Sequence, residues 1–188
     1  MNKIESLISQ YCPDGVEYKT FGEIGTFVRG NGLQKKDFTS SGVGCIHYGQ
    51  IHTLYNLFVN STVSYTSIEI ANKLRKAESG DLIFATTSEN VQDVCKVIGW
   101  FGKDGIGVSG DCYIFKHHQY SKFLIYYLQG SEFYNFKLKY ATGTKVIRVS
   151  GANLSKFPIP IPPLPIQQEI VNILDKFTQL EAVQVFVS

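Results

Sequence analysis

The side chains with the most distinctive chemistry in this chain are basic and polar ones, and they gather in two stretches. Positions 133 to 168 hold five lysine or arginine residues and no acid, and positions 24 to 68 hold three against one acid. The acids are concentrated between positions 69 and 111. Such an arrangement permits one positive face that meets phosphates, although the net charge is only +2. Charge alone fits an ordinary solvated surface better.

Each candidate motif for catalysis or cofactor binding lacks the neighbouring residues or elements that its chemistry requires. Gly105 to Gly110 matches G-x-G-x-x-G, but a strand is predicted after it, where a dinucleotide site needs a helix. Neither histidine pair, His47 with His52 or His117 with His118, has a further ligand at zinc-finger spacing. The chain has no G-x-S-x-G elbow, and its Ile-Pro-Pro-Leu segment lacks the polar and aromatic flanks of the adenine methyltransferase motif. The sequence therefore predicts a protein without a catalytic site, metal or cofactor.

Short apolar segments separated by glycine-containing turns predict an α+β domain of many short, mostly antiparallel strands with a few flanking helices. The sequence shows no internal repeat. The predicted helices cover residues 4–11, 67–76, 122–129 and 131–140, and the predicted strands cover 44–51, 58–65, 82–85, 91–101, 112–115 and 145–149, with 102–110 as a loop.

A proline-rich arm leads into an apolar helix in the last third of the chain. Five of the six prolines lie between Phe157 and Ile166. Because proline fixes φ and lacks an amide donor, residues 158–165 are predicted to be stiff and extended. Pro165 can open a helix whose apolar residues recur at spacings of four and three, as in a coiled coil. These candidates for helix pairing or subunit contact are Ile166, Ile170, Ile173, Phe177 and Leu180.

Composition indicates a soluble, cytoplasmic protein that does not contact membranes. A hydrophobic fraction of 44% is enough for a core, and no apolar run approaches the roughly 20 residues of a membrane span. The four cysteines lie far apart and form no C-x-x-C pair, which predicts reduced thiols.

Four segments occur in an order that is typical of one protein family. They are Tyr11–Lys19, Ser79–Ala85, Ala141–Ser150 and Phe157–Asp175, the last combining a Pro-Pro-Leu arm, a Gln-Gln pair and the start of a helix. Their order and spacing resemble a target-recognition domain of the specificity (S) subunit of Type I restriction–modification enzymes. The resemblance extends over residues 1 to 180.

The resemblance implies a non-catalytic subunit without a cofactor of its own. In this family each target-recognition domain reads one half of a two-part sequence in double-stranded DNA, and long helices hold two such domains apart. The partners are methyltransferase (M) subunits, which bind S-adenosylmethionine, and restriction (R) subunits, which use ATP. An alternative function is that of a truncated S subunit that binds the M subunit as an assembly or regulatory protein, without productive target recognition.

The resemblance also divides the chain and its candidate site residues. Residues 1–157 correspond to the target-recognition domain, 158–165 to the arm and 166–188 to the start of a spacer helix. Loops and strand edges are expected to reach into the major groove. The candidate DNA contacts are Arg29, Asn31, Lys35, Lys36, His47, Tyr48, Gln50, Thr86, Thr87, Ser88, Asn90, Thr142, Gly143, Thr144, Lys145 and Arg148.

The apolar pattern of the helix departs from the family near its end. Residues 183–188 alternate like a strand, whereas the helix of an S subunit continues for many turns. This pattern predicts a truncated or frameshifted half-subunit, or a fragment. Two such halves can pair through their helices as a homodimer with related half-sites.

Overall fold

The computed structural model describes residues 2–185, and from residue 179 onward it describes the backbone alone. In that range the chain is α+β, which confirms the predicted fold class. One 3₁₀ turn covers Lys35–Asp37. The α-helices are α1 Lys3–Tyr11, α2 Phe21–Ile24, α3 Tyr48–Thr53, α4 Ile68–Ala71, α5 Ser121–Tyr127, α6 Ser131–Tyr140, α7 Gly151–Leu154 and α8 Leu164–Val185. The strands are β1 Tyr18–Thr20, β2 Gly25–Arg29, β3 Phe38–Thr39, β4 Val43–Ile46, β5 Phe58–Val59, β6 Ser64–Thr66, β7 Lys76–Ala77, β8 Leu82–Ala85, β9 Thr87–Ser88, β10 Lys96–Trp100, β11 Ile106–Val108, β12 Cys112–His117, β13 Ile147–Arg148 and β14 Pro158–Pro160.

Two five-stranded sheets form the body of the protein, in the orders β2-β12-β8-β10-β5 and β3-β6-β4-β11-β7. The pairs β10–β5 and β11–β4 are parallel, and the other pairs in these sheets are antiparallel. In the central strand β8, Leu82 and Phe84 enter a core shared with the helices. Ile83 and Ala85 enter a second core between the two sheets. Because both faces of β8 are buried, its sequence is continuously apolar rather than alternating.

An aromatic cluster joins the helices to the first sheet and to the start of the proline arm. We define it as Phe21, Tyr127, Phe133, Phe136 and Phe157. The Phe157 ring is 2% exposed. Its centroid lies 4.9 Å from that of Phe136, 5.1 Å from that of Phe133 and 5.6 Å from that of Phe21. The cluster therefore links α2, α5 and α6 through one side chain at the arm.

Four local predictions are wrong, because strand pairing and helix capping override the local pattern. The strand predicted for 44–51 ends at Ile46, since the next residue caps α3. The loop predicted for 102–110 contains β11, which pairs with β4 and β7. The run 58–65 is divided between β5 and β6 in different sheets, and the helix predicted for 67–76 is limited to α4.

The proline arm is attached to the body instead of forming a free rod. Strand β14 pairs antiparallel with β1, with Ile159 opposite Lys19. Pro158 and Pro160 flank Ile159, whose side chain is fully buried in the helical core. This is a two-stranded edge, where missing amide donors are tolerated.

The first turns of α8 are held by α1 and α5. Ile166 and Val171 are each 1% exposed, so this part of the helix is packed into the domain. Lys3 Nζ lies 2.5 Å from Glu169 Oε2. On the α5 side, Asp175 accepts hydrogen bonds from Lys122 Nζ at 2.7 Å and from Tyr126 Oη at 2.6 Å. The direction of α8 is thus fixed from two sides.

Other sequence expectations concern thiols and membranes. All four cysteines are buried and free of disulfides. Burial raises the pKa of Cys45 to about 11 and those of Cys95 and Cys112 to about 12, so these thiols stay protonated. In residues 2–185 no helix is both long and apolar enough to cross a membrane.

His117 makes stability depend on pH. Its ring stacks on Phe115 at 5.1 Å, and its Nδ1 accepts a hydrogen bond from the Gln119 amide at 3.1 Å. Burial lowers the pKa of His117 to about 4, although Asp81 opposes the shift. Between pH 6.5 and 4 the unfolded state therefore binds more protons than the folded state. The free energy of unfolding should fall as pH decreases through this window, by up to about 3 kcal/mol.

Urea unfolding at several pH values checks this expectation. His117→Phe should lose part of the decrease in unfolding free energy between pH 6.5 and 4, whereas His118→Gln, at an exposed neighbouring position, should keep it. Identical pH slopes for wild type and His117→Phe would contradict the assignment.

Candidate nucleic-acid interface

Helix α3 begins a surface on which many of the predicted residues meet. His47 precedes the helix, and its Nδ1 accepts a hydrogen bond from the Gly49 amide at 3.3 Å. The His47 ring lies 4.6 Å from that of Tyr48, and Tyr48 lies 6.2 Å from His52. Burial lowers the pKa of His47, Lys35 lowers it further and Asp111 raises it. The imidazole is therefore neutral near pH 7, so its second nitrogen can face solvent or a ligand without a charge.

The segment after β8 joins α3 to the C-terminal basic stretch. His52 Nε2 lies 3.1 Å from the Thr87 carbonyl oxygen. Strand β9 pairs with β13, which places Thr87 opposite Arg148. Thr142 forms a bridge to Arg148, with its amide donating to the Arg148 carbonyl at 3.0 Å. These contacts form one polar face, defined here by Lys35, His47, Tyr48, Thr87–Asn90 and Thr142–Arg148.

A basic patch borders the polar face. It consists of Arg29, Lys36, Lys73 and Arg75, all exposed and grouped around Asn31. The Asn31 side chain donates to the Lys73 carbonyl at 2.9 Å and accepts from the Arg75 amide at 2.7 Å. The loop 109–111 lies between the patch and the polar face, because Arg29 Nε donates to Gly110 and Thr87 Oγ1 donates to Asp111.

Sequence reasoning missed Lys73 and Arg75 in this patch. Lys73 and Arg75 stand two positions apart in the sequence, which could have indicated a basic surface. However, they fall in a segment that is predicted to be helical and that lies next to acidic residues. Lys73 and Arg75 come beside Lys36 through contacts with Asn31. These contacts connect residues more than forty positions apart.

Several predicted DNA contacts have their side chains committed inside the protein. Gln50 is 8% exposed and donates to Ser64 Oγ at 2.7 Å. Thr86 donates to the Asp111 carbonyl at 3.3 Å. Asn90 both donates to and accepts from Asp93. These three side chains stabilise the surface and are poor candidates for base contacts. The DNA contacts of the other predicted residues remain a prediction.

Both parts of the surface carry exposed cations without an acidic partner, one of which, Arg75, donates to the Arg29 carbonyl at 2.6 Å. Within the part of the chain whose side chains are described, these residues form no ion pair. They are Lys35, Lys36, Lys73, Arg75, Lys145 and Arg148.

Lys137 does not belong to this exposed set, although it lies in the acid-free stretch. It is 7% exposed, and its Nζ donates to the carbonyl oxygens of Gln92 and, at 3.0 Å, Val94. Burial lowers the pKa of Lys137. This lysine ties α6 to the segment before β10.

Gly143 has a structural role in the loop that carries Lys145. Its φ is +107°, and a Cβ there would lie 2.1 Å from the Val146 carbonyl oxygen. Gly143→Ala should therefore lower the free energy of unfolding by about 1–3 kcal/mol and weaken DNA binding. Gly15 is the matched control, since its φ is +99° but nothing lies within 4 Å of the added Cβ. If the two alanine variants lose equal stability in thermal unfolding, the contact with Val146 is unimportant.

The predicted pairing residues of α8 differ in exposure. Ile166 is buried within its own domain, and Ile170 and Ile173 are half-buried. Phe177 is 61% exposed. Leu180 lies outside the residues whose side chains are described. Ile166 is therefore occupied by contacts within its own domain, whereas Phe177 is open to solvent, and pairing through this helix stays a prediction.

A metal centre is absent from the described residues. Among the side chains that the structure describes, up to residue 178, no three of histidine, cysteine, aspartate or glutamate come close enough to hold an ion. The surface is suited to hydrogen bonding and charge pairing, the two interactions through which proteins contact nucleic acids.

Comparison with known proteins identifies related chains. The family model for the type I restriction modification DNA specificity domain matches residues 13–184. A Haemophilus influenzae protein named as a type I restriction enzyme specificity subunit is 40% identical over 60 residues, which is 32% of this chain and 14% of that protein.

Solved structures show the same fold. A chain from a study of complex assembly in the type I R-M system superposes with a TM-score of 0.66 at 17% identity, covering 96% of this chain and 44% of that one. The HsdS subunit of Thermoanaerobacter tengcongensis gives 0.63 at 16% identity, with coverages of 96% and 43%. The S subunit from M. genitalium gives 0.56 at 14% identity, with coverages of 87% and 40%.

The chain thus spans less than half the length of the S-subunit structures that it matches. The family model, by contrast, covers nearly all of it. The resemblance inferred from the sequence is confirmed, and the protein belongs to the family of type I restriction–modification DNA specificity domains.

Proposed function

We propose that this chain is a non-catalytic target-recognition domain that binds one half of a bipartite sequence in double-stranded DNA. The observation that carries the proposal is the polar face, on which residues from four separate segments meet beside the basic patch. A face with free cations and polar groups on a rigid scaffold suits a duplex, because the cations meet phosphates and the polar groups meet base edges.

Helix α8 is the proposed docking element for the M and R subunits. Its base is fixed by Lys122 and Tyr126 through Asp175, and Phe177 is exposed beyond that base. A second copy of the chain is a further candidate partner for the same exposed side. In this proposal the M subunit supplies S-adenosylmethionine and the R subunit uses ATP, while this chain contributes recognition in the cytoplasm.

The competing function is an assembly or regulatory protein that binds the M subunit without reading DNA. The exposed Phe177 favours partner binding in either case, so α8 does not distinguish the two. The polar face does, since an assembly protein needs no surface for DNA.

Selection from random-sequence duplex DNA, with and without an M subunit, tests the proposal. Enrichment of one short motif is the expected result. Partner binding with no enriched motif would favour the assembly function instead. Methyl transfer or DNA cleavage by the purified chain alone would contradict both. A light-scattering mass of the free chain decides whether it forms a homodimer.

A further inference from the structure

A recess in the polar face has the chemistry of a base-reading site. It lies between α3 and the Thr87–Asn90 segment and has a volume of about 350 Å³. Tyr48, His52, Glu89 and Val146 are among the residues that line it. We infer that Glu89 in this recess accepts a hydrogen bond from the exocyclic amino group of an adenine or cytosine. This inference rests on the proposed DNA-binding function and assigns a role to a residue that the sequence did not single out.

Most polar side chains of the recess already have partners within the protein. Asn90 Nδ2 donates to Asp93 at 2.7 Å, and its Oδ1 accepts from the Asp93 amide at 2.8 Å. Ser88 Oγ accepts from the Asn90 amide at 3.3 Å, and Thr53 Oγ1 donates to the Gly49 carbonyl at 2.9 Å. Glu89 is exposed and forms no hydrogen bond or ion pair to any residue whose side chain is described. Its carboxylate therefore has both oxygens available as acceptors, whereas the Asp93 carboxylate already accepts from Asn90.

A phosphate fits the recess poorly, because the main-chain amides of Tyr48 and Gly49 are already occupied. The Tyr48 amide donates to Ser109 Oγ at 3.0 Å, and the Gly49 amide donates to His47. The Lys96 ammonium is also engaged, since it donates to the His52 carbonyl at 3.2 Å. A phosphate here would face the Glu89 carboxylate without a compensating cation or amide.

A base edge suits the recess better. Val146 is 39% exposed and lines the same recess as Glu89, so the recess offers an apolar surface as well as a carboxylate. The hydrogen-bond donors in the major groove are the amino groups of adenine N6 and cytosine N4. A carboxylate is complementary to these groups and repels the acceptor-rich edges of guanine and of the phosphates. Glu89 should therefore increase discrimination between bases while reducing affinity for DNA in general.

Two variants and one control test the role of Glu89. Glu89→Ala removes the acceptor, and Glu89→Gln keeps an oxygen but removes the charge. Glu78→Gln is the matched control, because Glu78 is likewise exposed and without an ion pair to a described side chain, but lies before β8 instead of after it. All four proteins, each as the full chain, are first compared by thermal unfolding and then used in selection from random duplex DNA.

We expect wild type and Glu78→Gln to enrich a motif that contains adenine or cytosine at one fixed position. Glu89→Ala should lose about tenfold of the preference at that position alone. Its affinity for non-specific duplex should be equal or higher, because one negative charge is removed.

The failures of the two proposals can be distinguished. An unchanged motif in Glu89→Ala would overturn the role of Glu89 and leave the DNA-binding function intact. A wild-type protein that enriches no motif, alone or with an M subunit, would overturn the proposed function and this inference with it.

Discussion

Replacing Phe157 by alanine is expected to lower the free energy of unfolding by about 3–5 kcal/mol. The ring is 2% exposed and contacts Phe21 of α2 and both Phe133 and Phe136 of α6. Truncation leaves a cavity bordered by rigid rings, which cannot move together to fill it without losing their own contacts. Urea unfolding followed by circular dichroism measures the change.

Phe177→Ala is the control for this variant, since it removes the same ring from a side chain that is 61% exposed. Its unfolding free energy should stay within about 0.5 kcal/mol of the wild-type value. If Phe157→Ala were as stable as Phe177→Ala, the aromatic cluster would not be the link between the helices and the arm.

Reversing two charges on the loop that precedes the arm should have the largest effect on DNA binding. The double variant Lys145→Glu with Arg148→Glu replaces two exposed cations of the polar face. We expect affinity for duplex DNA to fall by at least about tenfold, and the slope of log affinity against log salt concentration to decrease by about two. Stability should change little, because both side chains project from the protein surface.

Fluorescence anisotropy at several salt concentrations measures both quantities. Lys103→Glu is the control, because Lys103 is exposed on the turn after β10, at the end of β8 that lies away from the polar face. Its salt slope should equal that of wild type if Lys145 and Arg148 contact DNA directly and do not act only through the net charge of the protein. If the double variant and the control lost affinity equally, Lys145 and Arg148 would not be part of the DNA interface.

Much of the fold could be predicted from local sequence where one strand or helix has a single dominant pattern. The continuous apolar run of β8 is confirmed because this strand is buried on both faces. The predicted strands 82–85 and 91–101 are found as β8 and β10, which pair antiparallel, although β10 begins only at Lys96. Helices α5 and α6 are confirmed within two residues of their predicted bounds.

The errors fall where strand pairing or a side-chain cap decides the structure. β11 forms because β4 and β7 supply partners on both sides, and its glycines had favoured a loop. His47 ends a strand because its side chain caps the next helix, while the preceding residues alone favour continuation. Local propensity contains neither fact.

The site was predictable in outline and not in detail. The stretches that form the polar face were identified by charge and polarity, yet composition cannot show which polar atoms are already bonded. Gln50 and Asn90 look like base readers in the sequence, and both are committed to neighbours. Glu89 is not among the predicted contacts, and its proposed role becomes visible only once its surroundings are known.

The contacts at the base of α8 determine how precisely the far end of this helix is positioned relative to the domain. Its 22 residues span about 33 Å at 1.5 Å per residue. A tilt of about 10° at the base would move the far end by roughly 6 Å, which is more than one 3.4 Å base-pair step. Lys122, Tyr126 and Asp175 on one side and Lys3 with Glu169 on the other oppose such a tilt. Removing these contacts would therefore make the position of anything attached to the far end of α8 less well defined. This would happen even if every side chain of the polar face were unchanged.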